Sequence, residues 1–433
     1  MQGAHPEPTV EKAVSLLSRL EALPDETQLM AELDALSDDD VARLLHRRYS
    51  PAYLNLFSLF RQEMPGRKLR EMAVRVTKAA IRSASAAERC LARYPDNPWQ
   101  PCLSGWQPDT LRALVSRGKG LIVCSYRIGM YSLVPLDLAA MGFQVFLPLA
   151  EIKERTTKAV EGLRERVNAN ASLDSEERQR LLNMSSIRLL DVEAKHTSIA
   201  LVKALRKGAL VMIYADGNNG VDGPWGEEGR IPVSFFRSSV HVKSGVARLA
   251  WSLGAPILPV VSLRNVHGSG GTVRVADPIV PPEPVNPEHR DAFVQASMQR
   301  LYTILEDCAR DYPEEWEGVS ALHRWRHHGA PAASHGEMPG DEKVDTLAAA
   351  LQQGRRLYIN EPMGITTVPG EEGVWVDTST MKCFRAPASA RQLFSALTQD
   401  GGVDQSWIDR QTPREPLISL LAALYVRKLI IAA

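Results

Sequence analysis

Cysteine is scarce in this chain of 433 residues. Its five members, Cys90, Cys102, Cys124, Cys308 and Cys383, are odd in number, widely spaced and in no CxxC or Cys/His finger pattern. That pattern indicates neither a disulfide framework nor a structural zinc site, and makes a reducing cytoplasm the expected compartment. Net charge is absent as well, because 51 basic side chains meet 51 acidic ones. A neutral total gives no electrostatic reason for nucleic acid as a partner. The N-terminus lacks the basic-then-apolar layout of a secretory signal, and no run reaches the ~18 apolar residues of a spanning helix. The longest apolar stretch, Leu133 to Ala150, is broken by Pro135, Asp137, Gly142, Gln144 and Pro148. The expectation is a soluble protein with at most peripheral membrane contact. Nucleotide signatures are missing too. The glycine-rich ADGNNGVDGPWGEEG ends in no GKS or GKT and is no GxGxxG after a strand, so neither ATP nor NAD is implied and no cofactor is expected. His327-His328 are adjacent and cannot converge on one ion from a regular helix or strand, so no metal site is expected.

What is present is the material of several domains. At ~150 residues per domain the length suggests two or three, and a composition of 44% apolar and 24% charged residues suits globular packing. Residues 1–104 read as a helical N-terminal region, with Ser37 capping a helix whose first turn is Asp38-Asp39-Asp40. A second helix through AYLNLFSLFRQEM stops at Pro65-Gly66. The basic segment Arg67 to Tyr94 is either a solvated face or a docking face for an acidic partner.

From about residue 105 to 328, short apolar runs alternate with helical patterns, the signature of βαβ units. GLIVCSY (120–126), FQVFLPL (143–149), ALVMIYAD (209–216), APILPVVSL (255–263) and TVRVADPI (272–279) are the expected strands. Leu133 to Met141, Thr156 to Asn168, Thr197 to Lys207 and Val242 to Leu253 are the expected helices. The fold class is therefore α/β, a mainly parallel central sheet with flanking helices. Residues 329–344 read as a linker, and residues 345–433 as a small α+β module of winged-helix-like pattern.

Four segments in order carry a resemblance: GKGLIVCSYRIGMYSLVPLDLAAMGFQVF, LVKALRKGALVMIYADGNNG, IPVSFFRSSVHVKSGVARLAWSLGAPILPVVSLR and YPEEWEGVSALHRW. Over residues 105–328 the sequence resembles the lipid A late acyltransferases of the lauroyl/myristoyl type, a branch of the lysophospholipid acyltransferase superfamily. The resemblance implies acyl transfer from a carrier-protein or CoA thioester, with a small molecule or lipid as acceptor. It also implies a His-x4-Glu or His-x4-Asp motif after the first strand, in which imidazole is the general base and the carboxylate orients it. Here Arg127 stands on the histidine position and Ser132 on the carboxylate position, and no His-x4-Asp/Glu occurs in the chain. A guanidinium is no base near neutral pH. Leu147-Pro148 stand where the family usually has an arginine, and Asp216 takes the family's acidic position, followed by Gly217 instead of glutamine.

Three readings of the altered site stand. In the first, Arg127 stabilises an oxyanion or carboxylate while an amine acceptor supplies its own lone pair. In the second, chemistry is lost and the domain binds a carrier, lipid or partner. In the third, another residue is the nucleophile, led by Cys124, whose thiol a nearby cation would acidify. Ser125 and Ser132 are weaker hydroxyl candidates. Asp216 closes an apolar strand, as a pocket carboxylate or a turn residue. Tyr126, Tyr131, Arg237 and His241 are the candidate substrate-binding residues, with a capping or solvated role as the alternative for the last two. The missing anchor and the added C-terminal module point away from envelope lipid assembly and toward specialised metabolite biosynthesis.

Overall fold

The computed structural model describes residues 10–23, 25–93, 102–150, 152, 154–194, 196–217, 228–265, 270–282, 287–325 and 341–359, with shorter stretches at 365–367, 374–377, 382–385, 392–393, 396–397, 402–411, 414–426 and 430–432. Contacts divide the chain into two units, Met1–Trp325 and Arg326–Ala433. The N-terminal helices thus share one unit with the α/β region. His327-His328 and residues 329–340 of the expected linker lie outside the described residues, and a helix already begins at Asp341.

Among the described residues, nine strands build the first unit: β1 (Leu103–Ser104), β2 (Leu121–Ser125), β3 (Val145–Leu149), β4 (Arg188–Asp191), β5 (Leu210–Tyr214), β6 (Arg230–Phe235), β7 (Ser238–Lys243), β8 (Ile257–Arg264) and β9 (Gly271–Val275). Seven form the central sheet in the order β1-β9-β8-β2-β5-β3-β4. The five from β8 to β4 run parallel, whereas β9 is antiparallel to β8 and β1 is parallel to β9. Parallel strands covered on both faces need apolar side chains on both, which is why LIVCS is buried at all five positions. The two-residue side-chain period then deals them to two cores. Ile122, Cys124, Val211, Ile257 and Val261 enter one core, and Leu121, Val123, Leu210, Met212, Leu258 and Val260 enter the other.

Among the described residues, six helices precede the sheet: α1 (Val10–Glu21), α2 (Glu26–Ala35), α3 (Asp38–Leu44), α4 (His46–Phe60), α5 (Gly66–Ala84) and α6 (Ala86–Arg93). Ser37 caps α3 by accepting the Asp40 N–H, and Pro65 closes the gap between α4 and α5. The basic segment divides on folding. Arg67, Lys68, Arg70 and Arg75 are exposed, whereas Arg82 and Arg89 turn inward to Glu26 at 2.9 and 2.8 Å. Seven helices among the described residues accompany the strands: α7 (Pro108–Val115), α8 (Val134–Ala140), α9 (Glu154–Ala169), α10 (Ser175–Met184), α11 (Thr197–Arg206), α12 (Gly245–Leu253) and α13 (Arg290–Asp311). A run of 3₁₀ turns over Pro313–Glu315 and Glu317–Trp325 closes the unit.

The second unit is α+β. It has a helix over Asp341–Gln352, a three-stranded antiparallel sheet of Ile365–Thr367, Val374–Asp377 and Lys382–Arg385, and a Leu357–Ile359/Ile430–Ala432 antiparallel pair. Among the described residues no helix is long and apolar enough to cross a membrane.

Two elements differ from expectation. β4 is a short strand at the sheet edge with no fully buried position, so it carries no apolar run. Residues 230–243 form an antiparallel hairpin, and the helix expected from Val242 starts only at Gly245. The alternation of buried Val233, Phe235, Val240 and Val242 is a strand signal that the adjoining helical pattern obscured. The two-residue hairpin turn places Phe236 and Arg237 at φ of 46° and 60°, both left-handed. Paired left-handed residues match the right-handed twist of flanking strands, but each side chain there costs about 1 kcal/mol or more. Arg237→Gly is therefore expected to raise stability by about 1 kcal/mol in urea unfolding, despite removing a cation.

Candidate functional site

The register Ser125↔Tyr214 sets the carboxyl ends of β2 and β5 side by side, where open α/β sheets place their ligands. From β2 the chain turns through Tyr126–Ser132, and from β5 it enters a 3₁₀ turn over Ala215–Gly217. Asp216 has no exposed surface. Its two carboxylate oxygens accept the Arg127 backbone N–H at 3.1 and 3.0 Å, and Oδ2 also accepts the Trp316 indole N–H at 3.2 Å. Arg127 Nη2 in turn donates to the Asp216 carbonyl at 3.1 Å, with Nε at 3.8 Å from Oδ1. The Arg127 side chain keeps 23% of its surface open.

The 3₁₀ run supplies a third wall. Glu317 donates its N–H to the Arg127 carbonyl at 2.9 Å, and Glu315 accepts the Gly129 N–H at 3.0 Å. Tyr131 donates its hydroxyl to Glu317 Oε2 at 2.7 Å, and Tyr214 donates to the Tyr131 carbonyl at 3.2 Å. Underneath, Tyr302 donates to the Ala215 carbonyl at 2.9 Å and packs its ring on Phe235 and Trp325. Trp316 packs on Phe235 at 5.7 Å and on Trp325 at 6.0 Å. Two glycines permit this closeness. Gly129 stands at φ 60°, where a Cβ would strike the Ser262 carbonyl, and a Cβ on Gly318 would collide with Asp216 Oδ2 and Trp316 Nε1.

Burial pushes the Asp216 carboxyl upward, against the opposing pull of the Arg127 guanidinium and the N–H donors. For Arg127 burial works downward, but Asp216 and Glu317 outweigh it and hold the guanidinium above its ordinary value. Arg324 is lowered to about 10 by burial and then by Arg127. The centre is thus a fixed cation locked onto a fully bonded carboxylate, with neither group free to take a proton from an acceptor.

The structure brings Arg127, Asp216 and Tyr131 together and leads the other candidates elsewhere. Ser132 donates to the Ser83 carbonyl of α5 at 2.8 Å, and so fastens the loop to a helix. Tyr126 is fully buried and donates to the Leu301 carbonyl of α13 at 2.7 Å, a tie within the core. Cys124 and Ser125 are fully buried. Burial, reinforced by Asp216, pushes the Cys124 thiol upward, so the acidified thiol expected from a nearby cation is not formed. Arg237 is exposed at the hairpin tip, and His241 is half-buried opposite Pro232 in the same hairpin.

Trp316, Glu317 and Gly318 were not singled out in the sequence. Their segment, YPEEWEGVSALHRW, was legible as a closing signature, but the bond from Trp316 to a carboxylate 100 residues away is visible only after folding. A separate open cleft of about 830 Å³ is lined by Leu103, Trp106, Arg112, Asp137, Glu176 and Arg180 among others, none of them in the Arg127–Asp216 cluster. Asp137 there accepts N–H groups of Cys102, Leu103 and the Trp106 indole, and burial pushes its carboxyl up to about 6. Among the described residues no group of three or more His, Cys, Asp or Glu side chains is placed to hold a metal ion.

A mixed α/β sheet with its polar centre beyond the strand ends defines a class of ligand-binding folds. Within that class, residues 176–326 match the family model of the bacterial lipid A biosynthesis acyltransferases, and this segment is lipid A acyltransferase-like. The match spans Asp216, the β6–β7 hairpin and Trp316, and begins beyond the Arg127 loop. It supports acyl transfer as the general activity, with an acyl donor and an acceptor as substrates. No curated protein matches the sequence.

If Asp216 and Trp316 need a bare backbone beside them, Gly318→Ala should lower unfolding free energy by about 3 kcal/mol. Gly245→Ala, at a position with open space around it, is the control and should leave the urea midpoint unchanged or slightly raised.

Proposed function

We propose that the chain moves an acyl or aminoacyl group from a carrier-protein or CoA thioester to an amine or hydroxyl acceptor, in specialised metabolite biosynthesis. The observation that carries the reading is Arg127. Its guanidinium is held at the carboxyl ends of β2 and β5 by Asp216, yet 23% of the side chain stays open. A guanidinium has five N–H donors, and the Asp216 carbonyl takes one of them. Charge that develops on a thioester oxygen beside this cation is stabilised without any proton transfer.

An amine acceptor fits a site that lacks a base. Its nitrogen lone pair attacks the thioester carbonyl carbon, the C–N bond forms as the C–S bond breaks, and the departing thiolate takes the proton released by nitrogen. Asp216 acts here as a positioning residue, keeping the Arg127 backbone and fork in place. The exposed Arg67, Lys68, Arg70 and Arg75 of α5 suit an acidic carrier protein as donor. One observation favours a second reading, a catalytically inactive acyltransferase fold that binds a carrier, lipid or partner: Asp216 is wholly enclosed and already bonded by three N–H contacts.

Acyl- and aminoacyl-loaded carrier proteins, incubated with the chain and a panel of amines and alcohols, test the reading by intact mass. The expected result is loss of thioester only when an amine or alcohol is present, with kcat lowered about 100-fold in Arg127→Lys, which keeps the charge and loses the fork. A loaded carrier that is retained by the chain and never consumed assigns the second reading.

A further inference from the structure

We infer that Cys90 and Cys102 are a dithiol site that closes reversibly into an intrachain disulfide. Their sulfur atoms lie 3.0 Å apart. A disulfide bond is about 2.05 Å long, so an approach of about 1 Å completes it. Both side chains are half-buried, in contrast to the enclosed Cys124. The inference is independent of the proposed acyl transfer and rests on how the two cysteines are held.

Cys90 belongs to α6, and α6 is tied to α9 from both sides of the cysteine. Thr156 donates to Glu88 Oε1 at 2.7 Å, and Arg166 donates to the Leu91 carbonyl at 2.7 Å. Cys102 directly precedes β1 and is held through its backbone. Its N–H donates to Asp137 Oδ1 at 3.1 Å, and its carbonyl accepts the Gly271 N–H at 3.1 Å. Each cysteine is set by partners distant in the chain, so the native fold itself presents the pair.

The oxidant is a low-molecular-weight disulfide such as oxidised glutathione. One cysteine, as thiolate, attacks a glutathione sulfur, forming a mixed disulfide and releasing one glutathione thiolate. The second cysteine, deprotonated in its turn, attacks the protein sulfur of that mixed disulfide and displaces the other glutathione. Two protein thiols are oxidised, one glutathione disulfide is reduced to two glutathione thiols, and the two protons pass to the released thiolates. The product links α6 to the start of β1 and encloses residues 91–101 in a covalent loop. Excess thiol reverses both steps. Cross-linking removes loop-closure freedom from the unfolded chain, so the oxidised form melts higher.

The test treats the full chain with oxidised glutathione, blocks remaining thiols with iodoacetamide under denaturing conditions and maps peptides by mass. The expected result is a peptide pair joining Cys90 to Cys102, three alkylated cysteines out of five, and reversal by dithiothreitol. The melting temperature should rise on oxidation in the wild type and stay constant in Cys90→Ser. Cys102→Ser should trap glutathione on Cys90 as a stable mixed disulfide. Five alkylated cysteines after treatment, glutathione retained on wild-type Cys90 or Cys102, or a cross-link to a different cysteine would each overturn the inference.

Discussion

A carboxylate without contact to water survives only if its oxygens are bonded and its charge is answered, since an unpaired buried charge costs several kcal/mol. Asp216 meets that demand through Arg127 and Trp316, and most of the site's geometry follows from it. Two oxygens draw in the first residue beyond Tyr126, so the turn after β2 leans toward β5. The indole draws in the closing 3₁₀ run, which then bonds back to the same turn through Glu317 and Glu315. Three segments separated widely in sequence are held together by one acidic side chain.

The loop is stapled from its far side as well. Ser83 donates to the Gly129 carbonyl at 2.6 Å, Ser132 donates to the Ser83 carbonyl, and Ser262 donates to the Ile128 carbonyl at 2.9 Å. Arg264 reaches Ser83 Oγ at 3.0 Å and the Glu315 carboxylate at 3.3 Å, joining α5, β8 and the 3₁₀ run. The Arg127 guanidinium is thus seated in a rigid frame. Such a frame aims donors at a developing negative charge while the guanidinium itself accepts no proton, and this asymmetry directs the functional reading toward acceptors that bring their own lone pair.

The sheet was readable because strands covered on both faces must be apolar throughout, and GLIVCSY, ALVMIYAD and APILPVVSL satisfy that without ambiguity. β4 was not, because an edge strand with half-exposed Leu189 and Leu190 needs no apolar run. The hairpin was hidden by a helix starting two residues after it, and by a turn built from Phe236 and Arg237 in place of the glycine or asparagine that usually marks one. In the site, Arg127 and Asp216 stood out through the motif positions that the family resemblance gave them, each near the end of an apolar strand. Cys124 and Tyr126 lie on or next to the same strand but are fully buried in the core, whereas Arg127 lies past its end and stays partly open. Trp316 and Gly318 act through contact across 100 residues or more, which local pattern does not encode.

The pairing of Arg127 with Asp216 is the claim on which the account stands, and a double-mutant cycle measures it directly. Unfolding free energies in urea of the wild type, Arg127→Met, Asp216→Asn and the double variant give the coupling between the two side chains. The account predicts a favourable coupling of about 2 kcal/mol, with the double variant less damaged than the two single losses combined. Losses that add to within about 0.5 kcal/mol would show that the two side chains stand near each other without depending on each other.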